Sequence, residues 1–141
     1  MSVACVGWFH RWQVNMAVLD TSFVVDILRK RLDAVAVLET LSHETLYIST
    51  PTVMELWEGA LRSTVSPVET RKVEEFLSTM NIADFDVRAA MRAGELIVQL
   101  AHNMIEPEDI MIAATALVRG EMVVTHDEHY TRIPGLKVLK Y

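Results

Sequence analysis

The sequence predicts an α/β fold in which a central, mostly parallel sheet is covered by helices on both faces, a three-layer α/β/α sandwich. Short apolar runs of strand length alternate along the chain with longer segments whose apolar residues recur at helical spacing. This alternation is typical of parallel strands joined by helices and buried on both faces. The chain has 141 residues and shows no repeat, linker or low-complexity stretch, so we expect one domain with a sizeable core.

Composition and charge narrow the possible functions. Hydrophobic residues make up 51% and charged residues 23% of the chain, as in ordinary soluble domains. No apolar run approaches the roughly 18 residues that a membrane span requires. The single cysteine, Cys5, excludes an internal disulfide and fits a reducing compartment, so we expect a cytoplasmic protein. The formal net charge of −6 implies that a polyanionic substrate would need a local basic patch or a bound metal.

Residues 1–15 differ from the rest of the chain. They contain Trp8 and Trp12 and show neither a helical nor a strand period. Met16 stands directly before the first clear strand, so we expect translation to start naturally at Met16 and the domain to span residues 16–141. The alternative is an N-terminal extension that packs on the domain through the two tryptophans. We expect a chain that begins at Met16 to fold like the full-length chain.

In the first half of the chain, residues 17–19 form the predicted first strand, and Ser22 or Thr21 is placed to cap the helix that follows. The three cations of residues 29–31 lie at the end of that helix, where they interact favourably with the helix dipole. A second helix is predicted over about residues 34–42 and a second strand over 46–48. Thr50 and Pro51 then open a third helix. Its predicted buried stripe is Val53, Leu56, Trp57, Ala60 and Leu61.

In the second half, Ser66 and Pro67 open a fourth helix that reaches about residue 79, and a strand is predicted over 82–85. Asp86 caps a long helix. The residues predicted to face inward from that helix are Val87, Ala90, Met91, Gly94, Ile97, Val98 and Ala101. Glu106 and Pro107 open the next helix, and the last strands are predicted over 122–125 and 136–139.

Four carboxylates are placed to meet at one end of the sheet. Asp20 and Asp127 each follow an apolar strand directly, and ligands bind in the crevice outside the carboxyl ends of parallel strands. Asp109 lies in the first turn of its helix, in line with core-facing residues, and Glu55 flanks the stripe of the third helix. Four acids in one pocket raise each other's pKa values unless a cation lies among them. Oxygen ligands without cysteine favour Mg²⁺ or Mn²⁺.

Each acid has a simpler explanation when it is taken alone. Asp20 is placed to cap a helix, Glu55 to lie on a solvated helix face, and Asp109 to complement a helix dipole. Asp127 is suited to a turn. The metal interpretation therefore depends on all four acids together. Asp26, on the first helix, is predicted either to lie beside the site or to lie on the exposed face of the helix.

Four segments, in order, resemble the motifs of PIN-domain ribonucleases, above all the VapC toxins of toxin–antitoxin pairs. The segments are residues 16–22 (MAVLDTS), 52–60 (TVMELWEGA), 109–116 (DIMIAATA) and 123–136 (VVTHDEHYTRIPGL). Each segment alone is a weak signal, whereas the ordered set covers nearly all of residues 16–141. The resemblance implies a PIN-like fold and a metal-dependent endoribonuclease that hydrolyses RNA phosphodiester bonds and acts as the toxin of such a pair.

The resemblance also implies the site. In the family, the acids at these positions bind Mg²⁺ or Mn²⁺, which carries over to Asp20, Glu55, Asp109 and Asp127. Thr125 matches a hydroxyl position beside the metal. This chain has a histidine at position 129, where many members have a further aspartate. The four acids and Thr125 are thus the predicted catalytic groups. Asp20→Asn is expected to abolish cleavage while stability holds or rises, because repulsion among the acids falls.

The implied partners are an RNA substrate, a cognate antitoxin protein and a second copy in a homodimer. A metal-free pocket of acids is a good receptor for a guanidinium, so we expect the antitoxin to place an arginine among the acids. An apolar segment beside that arginine is expected to dock near Phe23, Ile27 or Trp57. The cations of residues 29–31 are candidates to hold the RNA phosphates, or are ordinary helix-end cations.

Two other functional classes compete with the nuclease. A receiver-like phosphoacceptor domain also has acids at strand ends, but it needs paired acids directly after the first strand, where this chain has Thr21 and Ser22. A PIN-like fold that serves only as a binding module is the second. The run of residues 126–129 (HDEH) has the composition of a transition-metal site, but four consecutive residues seldom turn three ligands onto one ion.

Overall fold

The computed structural model describes residues 16–103 and 105–141, and its sheet is parallel throughout. Five strands pair in the order β3-β2-β1-β4-β5, and every neighbouring pair is parallel. The strands are β1 Met16–Leu19, β2 Thr45–Ser49, β3 Asn81–Ala83, β4 Met122–Thr125 and β5 Val138–Lys140. The predicted α/β class and mostly parallel sheet are confirmed. The expectations for residues 1–15, including Trp8 and Trp12, lie outside the described residues.

Helices cover both faces of this sheet. They are α1 Thr21–Leu28, α2 Leu32–Thr40, α3 Thr50–Arg62, α4 Ser66–Ser78, α5 Val87–Gln99 and α6 Pro107–Arg119, with a 3₁₀ helix at Glu128–Arg132. Side chains of β1 alternate between the two cores: Ala17 and Leu19 pack with α1 to α4, and Val18 packs with α5 and α6. The result is the three-layer sandwich that the sequence predicts. No helix in the described part of the chain is long and apolar enough to cross a membrane.

The strand order creates a crevice between β1 and β4. The chain proceeds outward from β1 through β2 to β3 on the side of α1 to α4, and then returns through α5 and α6 to β4 on the opposite face. The connections that leave β1 and enter β4 therefore diverge on opposite faces of the sheet. Such a topological switch point is where open α/β sheets bind ligands, at the carboxyl ends of the strands.

Two predicted helix caps differ from the structure. Asp20, rather than Thr21 or Ser22, is the N-cap of α1, and its carboxylate accepts a hydrogen bond from the Thr21 N–H at 2.8 Å. Ser49 occupies the N-cap position of α3, and the Thr50 hydroxyl instead accepts from the Phe85 N–H at 3.0 Å. Asp86 caps α5 as predicted, accepting from the Ala89 N–H at 2.9 Å.

The inward face predicted for α5 is wrong. Its buried residues are Ala89, Ala93 and Leu96, whereas Val87, Met91, Ile97 and Val98 are 55–77% exposed. The helix carries two apolar stripes, and the one with small residues packs in the core beside α6, which contributes its own alanines. Small side chains let two helix backbones approach closely, so the bulkier stripe is left outside. Leu61 on α3, also predicted to be buried, is 57% exposed.

Candidate active site

Asp20 is the hydrogen-bonding centre of the crevice. It follows β1, and its backbone N–H extends the ladder to β4 by donating to the Val124 carbonyl at 3.0 Å. One carboxylate oxygen, Oδ1, accepts from the Thr21 N–H and from the Tyr130 hydroxyl, both at 2.8 Å. The other, Oδ2, accepts from the hydroxyls of Ser22 at 2.6 Å and Thr125 at 2.7 Å. The side chain is almost fully buried, and these four donors occupy the acceptor sites of an ionised carboxylate.

Tyr130 joins two of the acids. It lies on the 3₁₀ helix, is completely buried, and its hydroxyl contacts Asp20 Oδ1 at 2.8 Å and Asp109 Oδ1 at 3.1 Å. Burial and the two neighbouring carboxylates raise the pKa of the Tyr130 hydroxyl well above its usual range, so it remains a donor. The residue belongs to the resembling C-terminal segment, but the sequence offers no sign that its hydroxyl bridges acids from β1 and α6.

Asp109 is the acid most strongly affected by the site. It lies in the first turn of α6, and burial, followed by the charge of Asp20, raises its pKa to about 6. The hydrogen bond from Tyr130 partly opposes this shift, while the charges of Asp127 and Glu55 add to it. A cation that enters the crevice would therefore stabilise the charged form of the Asp109 carboxylate.

Glu55 lies on α3 and contacts Thr21, the residue that follows Asp20. Its Oε1 accepts from the Thr21 hydroxyl at 2.8 Å, and the same hydroxyl lies 3.0 Å from the Thr52 oxygen. Partial burial raises the Glu55 pKa, the bond from Thr21 opposes the rise, and the charge of Asp20 adds to it. Asp20 and Glu55 therefore both contact Thr21, whose hydroxyl also lies beside that of Thr52.

An open cleft of about 380 Å³ collects three of the four predicted acids. Its lining residues are Asp20, Thr21, Ser22, Val25, Asp26, Arg29, Glu55, Asp109 and His126. Asp127 is not among them: its Oδ1 accepts from the His129 N–H at 2.9 Å and lies 2.8 Å from His129 Nδ1. Thr125, also predicted, lies behind the cleft, where its oxygen accepts from the Asp127 N–H at 3.0 Å while it donates to Asp20.

The donor chemistry of the cleft fits a hard divalent cation. Asp20, Glu55 and Asp109 supply carboxylate oxygens without cysteine or sulfur, the ligand type that Mg²⁺ and Mn²⁺ prefer. Within residues 16–103 and 105–141, however, no three His, Cys, Asp or Glu side chains already converge on one ion-sized point. Because four donors saturate Asp20, a direct ligand role requires one of them, such as the Ser22 hydroxyl, to turn away.

One of the three cations at the end of α1 reaches this cleft. Arg29 lines it, Lys30 is exposed with a left-handed backbone at φ 60°, and Arg31 pairs with Asp33 at 3.3 Å and with Asp26 at 3.8 Å. Arg29 is thus the member of the predicted basic group that is placed to meet a phosphate.

A second and larger cavity, which we call the α1–α3–α4 groove, adjoins the cleft. Its volume is about 570 Å³, and it shares Arg29 and Glu55 with the cleft. The remaining lining residues are Val25, Leu28, Leu56, Gly59, Ala60, Ser63, Glu69, Lys72 and Val73. Apolar side chains line much of the groove, and its shared end opens at the acids.

Comparisons with known proteins agree with this architecture. The model of the PIN domain family matches residues 17–136. The chain is similar to the tRNA(fMet)-specific endonuclease VapC of Salmonella typhimurium, with 32% identity over 123 residues that cover 85% of this chain and 93% of that protein.

Solved structures show the same similarity in three dimensions. A chain of the DNA-bound VapBC structure from Salmonella typhimurium superposes with a TM-score of 0.82 at 30% identity, covering 89% of this chain and 98% of that one. A chain of VapBC2 from Rickettsia felis, bound to a DNA fragment from its promoter, gives the same TM-score and coverage at 27% identity.

Proposed function

Because this chain belongs to the PIN-domain family and to its VapC-type ribonucleases, we propose that it is a metal-dependent endoribonuclease toxin that cleaves RNA at the cleft of Asp20, Glu55 and Asp109. The observation that carries this proposal is the convergence of three acids from β1, α3 and α6 on one open cleft. These acids are distant in sequence, and only the switch point of the sheet brings them together. The raised pKa of Asp109 supports the proposal, because perturbed acids of this kind cluster at functional sites.

The three acids would hold Mg²⁺ or Mn²⁺. When bound, such an ion would act as a Lewis acid that activates a water for in-line attack and neutralises charge on the phosphate. Thr125 and Tyr130 fix the Asp20 carboxylate from behind, so its orientation is set before RNA arrives. Arg29 is placed to bind a phosphate at the cleft wall. Asp127, the fourth proposed ligand, would have to release its contact with His129 to join the others.

A matched pair on α3 tests the site. Glu55→Gln is expected to lower RNA cleavage by about 100-fold or more, because it removes a charged ligand from the cleft. Glu58→Gln is the control, since Glu58 lies on the same helix but is exposed and pairs with Arg62 at 3.0 Å. Cleavage and Mn²⁺ binding are measured for both variants. Equal activity of the two variants would exclude Glu55 from the site.

For the substrate, we propose a tRNA, and the initiator tRNA is the first to test. The Salmonella typhimurium relative is named as specific for tRNA(fMet). Incubation of the protein with total tRNA, followed by mapping of the new 5′ ends, identifies the cleaved species. Cleavage of other RNAs with tRNA left intact would reject this substrate and keep the nuclease.

The partner of this chain is an antitoxin protein, and we propose that it occupies the α1–α3–α4 groove with an arginine in the cleft. Two of the solved structures similar to this chain are VapBC structures, and a third is a toxin–antitoxin complex from Klebsiella pneumoniae. The groove leads from apolar residues of α3 and α4 to Glu55, so one segment can bury apolar side chains and still reach the acids. The sequence predicts docking near Phe23, Ile27 or Trp57; the Phe23 ring is fully buried in the core, and none of the three residues lines the groove. Val25 and Leu28 line the groove instead.

This arrangement separates inhibition from affinity. Replacing the antitoxin's arginine with alanine is expected to restore RNA cleavage more than it weakens the complex, because apolar docking in the groove remains. Gly59→Leu, which adds a side chain in the groove where a β-carbon would meet no atom within 4 Å, is expected to weaken the complex instead. Cleavage is assayed beside the binding constant for each variant, with the protein encoded in the neighbouring reading frame tested as the antitoxin. Inhibition that survives the loss of the arginine would reject this mode of inhibition.

A further inference from the structure

Three side chains that the proposed chemistry does not use form a hydrogen-bonded cluster at the edge of the cleft. The Tyr141 hydroxyl donates to Asp26 Oδ2 at 2.7 Å. His126 Nδ1 lies 3.1 Å from the Tyr141 oxygen and 3.3 Å from the same Asp26 oxygen. Asp26 and His126 both line the cleft that holds Asp20, Glu55 and Asp109. We call these three residues the Asp26 cluster.

The hydrogen atoms that this cluster can donate determine which nitrogen of the His126 ring carries a hydrogen. Tyr141 has one hydroxyl hydrogen and gives it to Asp26, and burial together with Asp26 raises the Tyr141 pKa, so the hydroxyl keeps that hydrogen. Both neighbours of His126 Nδ1 are then acceptors, so Nδ1 carries a hydrogen of its own. In the neutral ring, Nε2 is left as an acceptor that no residue of the cluster uses.

The ring is also held in place by packing. Tyr141 meets the buried Phe23 ring edge-on, with centroids 5.0 Å apart, and His126 meets Tyr141 edge-on at 5.6 Å. The Asp26 side chain is only 8% exposed, whereas the His126 side chain is 47% exposed. An anchored carboxylate therefore orients a ring whose other edge remains available to a molecule in the cleft.

We propose that His126, oriented by the Asp26 cluster, binds the ribose of the RNA by accepting a hydrogen bond from a 2′-hydroxyl beside the scissile phosphate. The phosphates and base carbonyls of RNA are acceptors, the N–H donors differ from base to base, and the 2′-hydroxyl is the donor that lies at the same position in every nucleotide. It is also the group that distinguishes RNA from DNA. This inference rests on the proposed ribonuclease function and adds a sugar-specific contact to the same cleft.

A cycle of protein and substrate changes tests the contact. The substrates are an RNA oligonucleotide that contains the mapped cleavage site and two versions with a single 2′-deoxy nucleotide on either side of the cut bond. For the wild-type chain, one of the two deoxy substitutions is expected to lower kcat/KM by about 10-fold, as the loss of one good hydrogen bond does. His126→Ala is expected to lower kcat/KM on the all-ribose substrate by a similar factor and to show no further loss with the deoxy substrate.

Companion variants separate this role from a structural one. Asp26→Asn removes the carboxylate that holds Nδ1 and is expected to reproduce part of the His126→Ala loss and of its insensitivity to the deoxy sugar. Tyr141→Phe leaves the Asp26 carboxylate for Nδ1 and is expected to lose less. His126→Phe keeps a ring against Tyr141 and serves if the alanine variant folds poorly. His102→Ala, at an exposed position that does not line the cleft, is the control.

The outcomes divide cleanly. A deoxy penalty that is the same in the wild type and in His126→Ala would overturn the ribose contact, even if His126→Ala is slow. Wild-type protein that cleaves no RNA at all would reject the proposed function itself rather than this contact. A deoxy penalty that disappears with His126→Ala or His126→Phe, and persists with His102→Ala, would establish it.

Discussion

At the scale of single residues, Asp20 combines two roles that a sequence cannot separate. It caps α1 and is the proposed first ligand of the metal, and its two oxygens accept four hydrogen bonds in the described structure. A pattern of acids at strand ends indicates repulsion, but it cannot show the donors that surround one acid. Two of those donors, Thr125 and Tyr130, come from β4 and the 3₁₀ helix, more than a hundred positions away.

These donors reverse the stability expected of Asp20→Asn. The carboxamide offers one acceptor oxygen where the carboxylate offers two, so one pair of the donors to Asp20 loses its acceptor. We now expect the variant to abolish RNA cleavage and to lower the free energy of unfolding by about 1–3 kcal/mol. Thermal melts in chelator measure the second effect. A variant at least as stable as the wild type would show that relief of repulsion offsets the lost hydrogen bonds.

The raised pKa of Asp109 predicts a dependence of stability on pH. Burial and Asp20 raise the folded-state pKa to about 6 from the model-peptide value of 3.8, so the folded state disfavours the charged form. The resulting cost to stability is absent below pH 3.8 and fully present above about pH 6. Metal-free protein should therefore lose stability as the pH rises through this window.

The variant Asp109→Asn isolates this effect. At pH 7.5 it should be more stable than the wild type by about 1 kcal/mol, a figure discounted for the partial exposure of Asp109. The advantage should shrink at pH 4.5, where the wild-type side chain is largely protonated. Melts in chelator at both pH values measure the difference. An advantage that is constant with pH would assign the gain to packing rather than to charge.

At the scale of elements, the sequence predicts which segments are helices and strands better than it predicts which face each one buries. All five strands and six helices of the described chain fall on predicted segments, because strand length and helical spacing are local signals. The predicted inward face of α5 was wrong because two apolar stripes on this helix satisfy the same spacing, and which of them is buried depends on the packing of α6. Spacing within one helix contains no information about the shape of its neighbour.

The candidate site shows the same division. Asp20 and Asp109 could be predicted, since they stand at a strand end and a helix start that a parallel sheet brings to one edge, whereas Glu55 was predicted from the flank of the α3 stripe and from the family resemblance. Asp127 shared that signal, yet its side chain turns to His129. Tyr130 and the Asp26 cluster could not be found, because their contacts join the 3₁₀ helix and the end of the chain to α1 and β1. Such pairings follow from tertiary packing.

At the scale of the whole molecule, the formal net charge of −6 and an RNA substrate are compatible because the positive charge is local. Arg29 stands at both the cleft and the groove, so the same cation is placed to meet RNA or to face the antitoxin segment. Binding of the two would then be mutually exclusive by geometry. The domain bounds, residues 16–141, and the independence of this unit from residues 1–15 stay predictions, for which a chain that begins at Met16 is the test.

The exposed stripe of α5 is where we expect the homodimer to form. Val87, Met91 and Val98 lie on one side of the helix with Gly94 between them, and the three apolar side chains are 66–77% exposed. A β-carbon at Gly94 would meet no atom within 4 Å, so the packing of a single chain does not explain the small residue. A two-fold axis through such a stripe would bury the same face of both copies, and a glycine at the crossing would let the helices approach closely.

Substitutions on this stripe should therefore change assembly without changing the fold. Met91→Glu and Gly94→Leu are expected to convert a dimer of wild-type protein into a monomer, one by placing a charge in the interface and the other by filling the crossing. Leu61→Glu, at an apolar residue of α3 that is 57% exposed, is the control for added surface charge. Sedimentation gives the mass, and circular dichroism confirms that each variant is folded. A wild-type chain that sediments as a monomer at high concentration, or a dimer that tolerates both substitutions, would place the α5 stripe outside any contact between copies of this chain.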